Sequence, residues 1–303
     1  MAMLYSKDFE SPTRLQQLQG ASWQKRGIQV FMKREDERDV LLGGNKWCKL
    51  RGHLEQAHAD GVQHLISVGG LWSNHLYALA HAGQRYGFST TGVVRGDVAQ
   101  ITPTLREAQA AGMQLKFFSR EEYRCRHEPA WQERLCADAG SARFIPEGGA
   151  GLASLPGLSV LASEVATQMQ GPVLLAVAVG SGTTLAGLRR ALPDRFTLYG
   201  FQAFADASLS ERIMTITGDT KGWLLEPTEG MRQHAVLPAS LDNFRQAFEQ
   251  EEGIPLDTVY TVRMMSRLAG MIQCGELPDG ACVVALHSGG LQGRRGHLPA
   301  LAA

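Results

Sequence analysis

The stretch LLGGNKWCKLRGH, residues 41–53, sets two glycines and an asparagine before a lysine, Lys46, where a helix begins. Advancing about 100° per residue from Lys46, Leu50, Leu54 and Ala57 all fall within about 80°, so the lysine borders the apolar stripe and points inward. It also stands in the first turn, at the positive end of the helix dipole, which is unfavourable for an ammonium. A desolvated amine near positive potential gives up its proton readily, and that is how a lysine becomes a nucleophile or Schiff-base former. A structural or surface lysine is the plainer alternative. Lys49, on the other edge of the stripe, is expected to snorkel to solvent as helical lysines commonly do.

Working outward, apolar or β-branched runs at 28–33, 64–68, 89–94, 114–118, 172–179, 196–201 and 281–287 read as strands. Between them, 46–60, 74–86, 103–112, 156–170, 183–191 and 261–274 carry helical period. Strand and helix in alternation predict an α/β protein with parallel sheets covered on both faces. The glycine-rich GGAGLASLPG at 148–157 is the best linker candidate and suggests a domain break near residue 150.

Composition narrows the function classes. The 303 residues are 44% hydrophobic, and 30 basic side chains balance 30 acidic ones without a block of like charge. Nucleic acid and anionic membrane surfaces are therefore poor partners. Five cysteines lie far apart with no CxxC pair, so free thiols in a reducing compartment are expected, and no metal centre. No run of eighteen apolar residues and no signal-peptide pattern occurs, which makes the cytoplasm the expected location.

In open α/β sheets, ligands gather where loops leave the carboxyl ends of strands. Four glycine-rich loops qualify here: GGNK at 43–46, GGLWSNH at 69–75, GSGTT at 180–184 and HSGG at 287–290. GSGTT follows the strand PVLLAVAV and opens a helix, so its backbone N–H groups and the hydroxyls of Ser181, Thr183 and Thr184 suit a phosphate. A turn merely capped by Thr183 or Thr184 is the bland alternative. Gly180 and Gly182 also begin a dinucleotide fingerprint, yet Leu185 occupies the third glycine position and no ribose-binding acid follows the next strand. A monophosphate fits better than a nicotinamide dinucleotide. In GGLWSNH, Ser73 and Asn74 are good N-caps for the next helix, or else a carboxylate site on its free N–H groups, with His75 beside them.

Together these loops resemble those of the fold-type II pyridoxal-phosphate enzymes. More closely, GGNKWCKL followed by SVGGLWSNH resembles, in order and spacing, the family of 1-aminocyclopropane-1-carboxylate deaminase and D-cysteine desulfhydrase. SPTRL at 11–15, LDTVYTVRM at 256–264 and LHSGG at 286–290 match further family segments, and the GSxKDR context of cysteine synthases is absent. The resemblance implies a tryptophan synthase beta-like fold: two parallel-sheet domains with the cofactor between them, a larger one from 1–48 and 151–303 and a smaller inserted one at 49–150. It implies pyridoxal 5'-phosphate in Schiff-base linkage to Lys46, which would also shuttle the substrate's α-proton. Asn74 would contact the cofactor's ring oxygen, and Gly180, Ser181, Gly182, Thr183 and Thr184 its phosphate. Ser73, Asn74 and His75 would receive a small amino-acid substrate, Ser73 and Tyr260 would act beside the reacting carbon, and a homodimer would be usual. Ser288 or Thr261 would face the pyridine nitrogen.

The branch is read from departures. The deaminase branch has a glutamate directly after the active-site tyrosine, and here Thr261 follows Tyr260, as in the desulfhydrase branch. The expected reaction is therefore α,β-elimination, with D-cysteine going to pyruvate, sulfide and ammonia, ahead of deamination of the cyclopropane substrate. Trp72 replaces the usual glutamine, and where a second tyrosine is expected the chain offers only His234. A lapsed protein that binds the cofactor without turnover, and a nicotinamide-dependent oxidoreductase, are the more distant alternatives.

Overall fold

The protein is seen in a computed structural model that describes residues 11–231 and 237–296, so His234 lies outside the described residues. The chain divides into two compact units, one from Glu10–Arg38 and Leu158–Leu291, the other from Asp39–Gly157 and the segment beginning at Gln292. It opens with β1 (Leu15–Gln17) and β2 (Gln29–Lys33), then enters the second unit. There it forms α1 (Gly44–Ala59), β3 (His64–Gly70), α2 (Asn74–Tyr86), β4 (Ser89–Arg95), α3 (Pro103–Ala110), β5 (Met113–Phe118), α4 (Arg120–Arg124), α5 (Pro129–Asp138) and β6 (Ala142–Ile145). It returns through α6 (Leu155–Gln168) to β7 (Val173–Val179), α7 (Thr183–Ala191), β8 (Phe196–Gln202), α8 (Leu209–Thr217), β9 (Trp223–Pro227), α9 (Ala239–Glu252), α10 (Thr261–Cys274) and β10 (Cys282–Leu286).

Over the described residues, one unit has a four-stranded sheet in the order β5-β4-β3-β6, parallel throughout. Its strands are apolar on both faces because helices cover both. Leu65 and Val94 pack with Leu50, Leu54, Leu76 and Leu105 from α1, α2 and α3. Ile66, Val68 and Val93, one residue out of phase, pack on Tyr123, Trp131 and Leu135 from α4 and α5. After β3 the chain adds β4 and β5 to one side and then returns to place β6 on the other. The loops after β3 and β6 thus flank a reversal of strand order, where ligands bind in open α/β sheets.

The other unit has a six-stranded sheet in the order β1-β2-β10-β7-β8-β9. Its reversal lies between β7 and β10, so the loops after these strands, GSGTT and HSGG, emerge side by side. Val30, Met32, Ala176, Val283 and Ala285 pack with Phe248, Met264 and Leu268 from α9 and α10. The pattern departs from the expected parallel sheets at one edge, where β1 runs antiparallel to β2. A three-residue edge strand needs no crossover helix and can close directly on its neighbour. Beneath it the buried Lys33 ammonium donates to Thr13 O and Glu164 Oε2, each at 2.8 Å, and to Gln168 Oε1 at 3.0 Å.

Candidate active site

In the four-stranded unit, α1 starts from Gly43 in the left-handed region (φ 66°) without a side-chain cap, and Lys46 N donates to Gly43 O at 3.0 Å. Lys46 is half-buried there, with Nζ 3.3 Å from Asn45 Oδ1. The helix is covered more widely than a single stripe implies, because residues 148–157 pack on it instead of hanging free as a linker. A Cβ on Gly52 would lie 1.9 Å from Ala153 O, and one on Gly157 would lie 1.9 Å from Cys48 O, so backbone meets backbone at two glycines. This cover corrects the expectation for Lys49: it does not snorkel but is 3% exposed, its aliphatic stem under Gly149. Burial, with Lys46 one turn away, pushes its ammonium well below the usual lysine range.

The loop after β3 runs into α2 with Ser73 as N-cap, its hydroxyl oxygen accepting from Leu76 N at 3.2 Å. Its own O–H remains to donate, and the N–H groups of Asn74 and His75 have no helical carbonyl to reach. The His75 ring, by contrast, is buried. Ser67 Oγ donates to Ile145 O at 2.7 Å and so accepts from His75 Nε2, 2.9 Å away. That bond puts the proton on Nε2 and leaves Nδ1 as a lone pair with no partner among the described residues. Burial and the nearby Lys49 hold His75 far below the usual histidine range, and burial drives His53 down to about 4. His75 can therefore offer a ligand its backbone N–H, while its ring supports the switch-point loop from within.

In the six-stranded unit, α7 starts from Gly182, again left-handed (φ 86°) and without a side-chain cap. A Cβ on Gly182 would come within 2.8 Å of Ile213 Cγ1. Ser181 Oγ lies 3.2 Å from Thr183 Oγ1, and Thr183 and Thr184 are buried at the helix start. Beside this turn, a Cβ on Gly180 would lie 3.1 Å from Cε1 of Tyr260 and 3.4 Å from its hydroxyl. Tyr260 stands edge-on to Phe204, centroids 5.7 Å apart.

Asp257, which was not among the expected site residues, fixes that tyrosine. Its buried carboxylate accepts from the backbone N–H of Val259 (2.9 Å), Tyr260 (2.6 Å) and Thr261 (2.7 Å) and from the Thr261 hydroxyl. The Thr261 hydroxyl, fully buried, is thereby committed to Asp257, whose N–H it accepts in turn at 3.0 Å. An aspartate just before a helix start was the available signal. On the other side of the sheet reversal, His287 accepts from Gly289 N through Nδ1 (3.2 Å) and reaches Pro255 O through Nε2 (2.7 Å), building the turn that carries half-buried Ser288.

Parallel sheets with glycine turns at their reversal points, a half-buried lysine in a helix's first turn and a helix start without a side-chain cap define a class: an α/β enzyme built around a phosphorylated cofactor. Comparison with known proteins names it. The chain belongs to the pyridoxal-phosphate dependent enzyme family, whose model matches residues 7–269. It is 27% identical over 288 residues to a candidate 1-aminocyclopropane-1-carboxylate deaminase of Pyrococcus abyssi, covering 88% of this chain and 86% of that one. It is 26% identical to a D-cysteine desulfhydrase of Yersinia enterocolitica, covering 87% of each. A solved ACC deaminase homologue superposes with a TM-score of 0.81 at 25% identity, over 93% of this chain and 90% of that one. The O-ureido-L-serine synthase fold is also shared, with a TM-score of 0.70. The protein is thus a fold-type II pyridoxal-phosphate enzyme of the ACC deaminase and D-cysteine desulfhydrase family, and the nicotinamide alternative falls.

The residues present fit the cofactor. A phosphate monoester needs N–H donors at a helix start, and α7 starts at Gly182 with no side-chain cap on its first turn. A carbonyl needs a primary amine, and Lys46 supplies one in an uncapped helix turn.

Proposed function

We propose that this enzyme catalyses α,β-elimination on a small β-substituted amino acid, D-cysteine first, releasing sulfide, pyruvate and ammonia. The observation that carries the reading is Thr261. The position after Tyr260 presents a hydroxyl already donated to Asp257, and no carboxylate that would hold the pyridine nitrogen protonated. Ser288, in the turn built by His287, is then the group for that nitrogen.

Bound pyridoxal phosphate supplies an electron sink for the substrate's α-carbon. In this reading the α7 turn from Gly180 to Thr184 holds the phosphate. The N–H groups of Asn74 and His75, with the Ser73 hydroxyl, receive the substrate carboxylate, and the Asn74 side chain contacts the ring oxygen. Lys46 would anchor the cofactor through Nζ and, with substrate bound, would take the α-proton on that nitrogen. The Tyr260 hydroxyl gives a proton to the departing thiolate. Water then converts the remaining fragment to pyruvate and ammonia, which balances the reaction. The five cysteines, all free, are in keeping with a reducing cytoplasm.

The test is to supply D-cysteine, L-cysteine and 1-aminocyclopropane-1-carboxylate to the purified holoenzyme and assay sulfide, pyruvate and 2-oxobutanoate. Sulfide and pyruvate in equal amounts from D-cysteine are expected. Turnover of the cyclopropane substrate alone would move the enzyme to the deaminase side. A protein that takes up the cofactor and turns over none of them would be a lapsed binder.

A further inference from the structure

Residues 292–296 lie against the start of α2, all within the four-stranded unit. Gln292 Nε2 donates to Asn74 Oδ1 at 2.9 Å. Gly293 follows so closely that a Cβ there would stand 3.2 Å from the same oxygen, and one on Gly296 would lie 2.8 Å from the Trp72 indole. Arg295 closes the segment: its guanidinium pairs with both carboxylate oxygens of Glu107 in α3, Nη2 to Oε2 at 2.8 Å, and its Nε donates to Gln292 O at 3.2 Å. Gln292 is thus held through its own carbonyl while its side chain grips Asn74.

An asparagine amide has one accepting and one donating end, and nothing in its shape says which faces a ligand. As placed, Gln292 presents its Nε2 donor to Asn74 Oδ1. With Oδ1 taken by Gln292, the Asn74 NH2 is the end left for a ligand. We propose that Gln292 is a positioning residue that locks the Asn74 amide as a hydrogen-bond donor toward an anionic oxygen of the bound cofactor. The proposal rests on the assignment of Asn74 to the cofactor's ring oxygen. It accounts for a role of Trp72 as well: the indole that replaces a usual glutamine is the floor on which Gly296 rests, so the same substitution belongs to the clamp.

The experiment uses the holoenzyme and two readouts, the pH midpoint of the cofactor's visible absorption change and the rate at which the cofactor is lost on dialysis. Gln292→Leu removes the donor. Gln292→Glu, of equal size, offers only acceptors and favours the inverted Asn74 amide. The anionic ring oxygen then loses its donor in Gln292→Glu and keeps it only part of the time in Gln292→Leu, so the midpoint rises and cofactor loss quickens, by about tenfold in Gln292→Glu and less in Gln292→Leu, the scale of one hydrogen bond to a charged group. In the Asn74→Ala background, Gln292→Leu has no further effect. Wild-type behaviour of both Gln292 variants alongside a shifted Asn74→Ala would overturn the clamp and leave the Asn74 assignment standing. An unshifted Asn74→Ala would remove the assignment and the clamp together. An equal effect of Gln292→Leu with and without Asn74 would mean that it acts on the fold, which also overturns the proposal. Should the Gln292 variants not fold, Arg295→Met, which loosens the clamp without touching Asn74, is expected to move the midpoint the same way by a smaller amount, and an unmoved midpoint would count against it.

Discussion

The starts of α2 and α7 follow central strands of their sheets and look alike in sequence, yet they are built differently. The α7 start is chiefly backbone: a left-handed glycine, no side-chain cap, and two threonines buried in the turn, with Ser181 Oγ 3.2 Å from Thr183 Oγ1. The α2 start is made of side chains: Ser73 caps, Asn74 is gripped by Gln292, and His75 reaches down to Ser67. A backbone cradle takes any compact dianion and is hard to retune by substitution. A side-chain cradle reads a particular ligand and depends on its supports. The difference teaches which loop is the anchor and which the reader.

The largest contrast is expected in acid. The α2 start rests on buried neutral histidines, whereas the titrating group near α8 in the other unit, Asp206, is held down to about 2, chiefly by its bond from Arg212. His53 titrates at about 4 in the folded protein and about 6.5 in the unfolded chain. Between these values the unfolded state binds a proton that the native state does not, so stability is full above about pH 6.5 and falls as pH drops toward the folded value, by about 3 kcal/mol for this group. Denaturant titrations from pH 7 to 4 should show the loss, and His53→Gln should reduce it, with His75, also held low by burial, supplying the remainder. An unchanged acid limb in that variant would remove His53 as the cause.

Gly182→Ala tests the anchor. It puts a side chain at φ 86° and within 2.8 Å of Ile213, a strain of about 1–2 kcal/mol. The cofactor should dissociate about tenfold faster, since 1.4 kcal/mol is a factor of ten, while KM for the amino acid at saturating cofactor stays put. Ser73→Ala tests the reader and should do the reverse. Losing the cap costs about 1 kcal/mol, KM should rise and kcat fall, and cofactor dissociation should be unaltered. If both variants weakened the cofactor alone, the division between anchor and reader would collapse.

Sequence reading reached the strands and helices that frame both turns because apolar runs, a serine cap and glycines announce them locally. The expected helix 74–86 is α2 to the residue, and the expected strand 64–68 lies inside β3. Elements whose stability comes from elsewhere were invisible. The helix α9, ASLDNFRQAFEQEE, sets Leu241, Phe244 and Phe248 at helical spacing and was legible in principle, whereas β6 is four residues long with Arg143 in its middle. The burial of Lys49 is made by backbone about a hundred residues on, and the grip of Gln292 on Asn74 spans 218 positions. Asp257 was legible in principle: LDTVYT sets a carboxylate within reach of the N–H groups two, three and four residues ahead.

That aspartate sharpens the smallest prediction, Gly180→Ala, which separates the anchor from the chemistry beside it. Gly180 does not have left-handed φ, so a methyl costs nothing in backbone strain and acts only through its 3.1 Å approach to Tyr260 Cε1. The Tyr260 backbone cannot retreat, because Asp257 holds its N–H and those on either side. The half-buried ring must swing instead, by a few tenths of an ångström, and overpacking there should cost no more than about 1 kcal/mol. A displaced hydroxyl should lower kcat several-fold, while KM and cofactor dissociation stay near wild type. Adding Asp257→Asn weakens the grip and lets the backbone give, so it should return part of the lost kcat. A Gly180→Ala enzyme with full kcat would show that the Tyr260 hydroxyl takes no part in the step, and the proton for the leaving group would then have to come from Ser73.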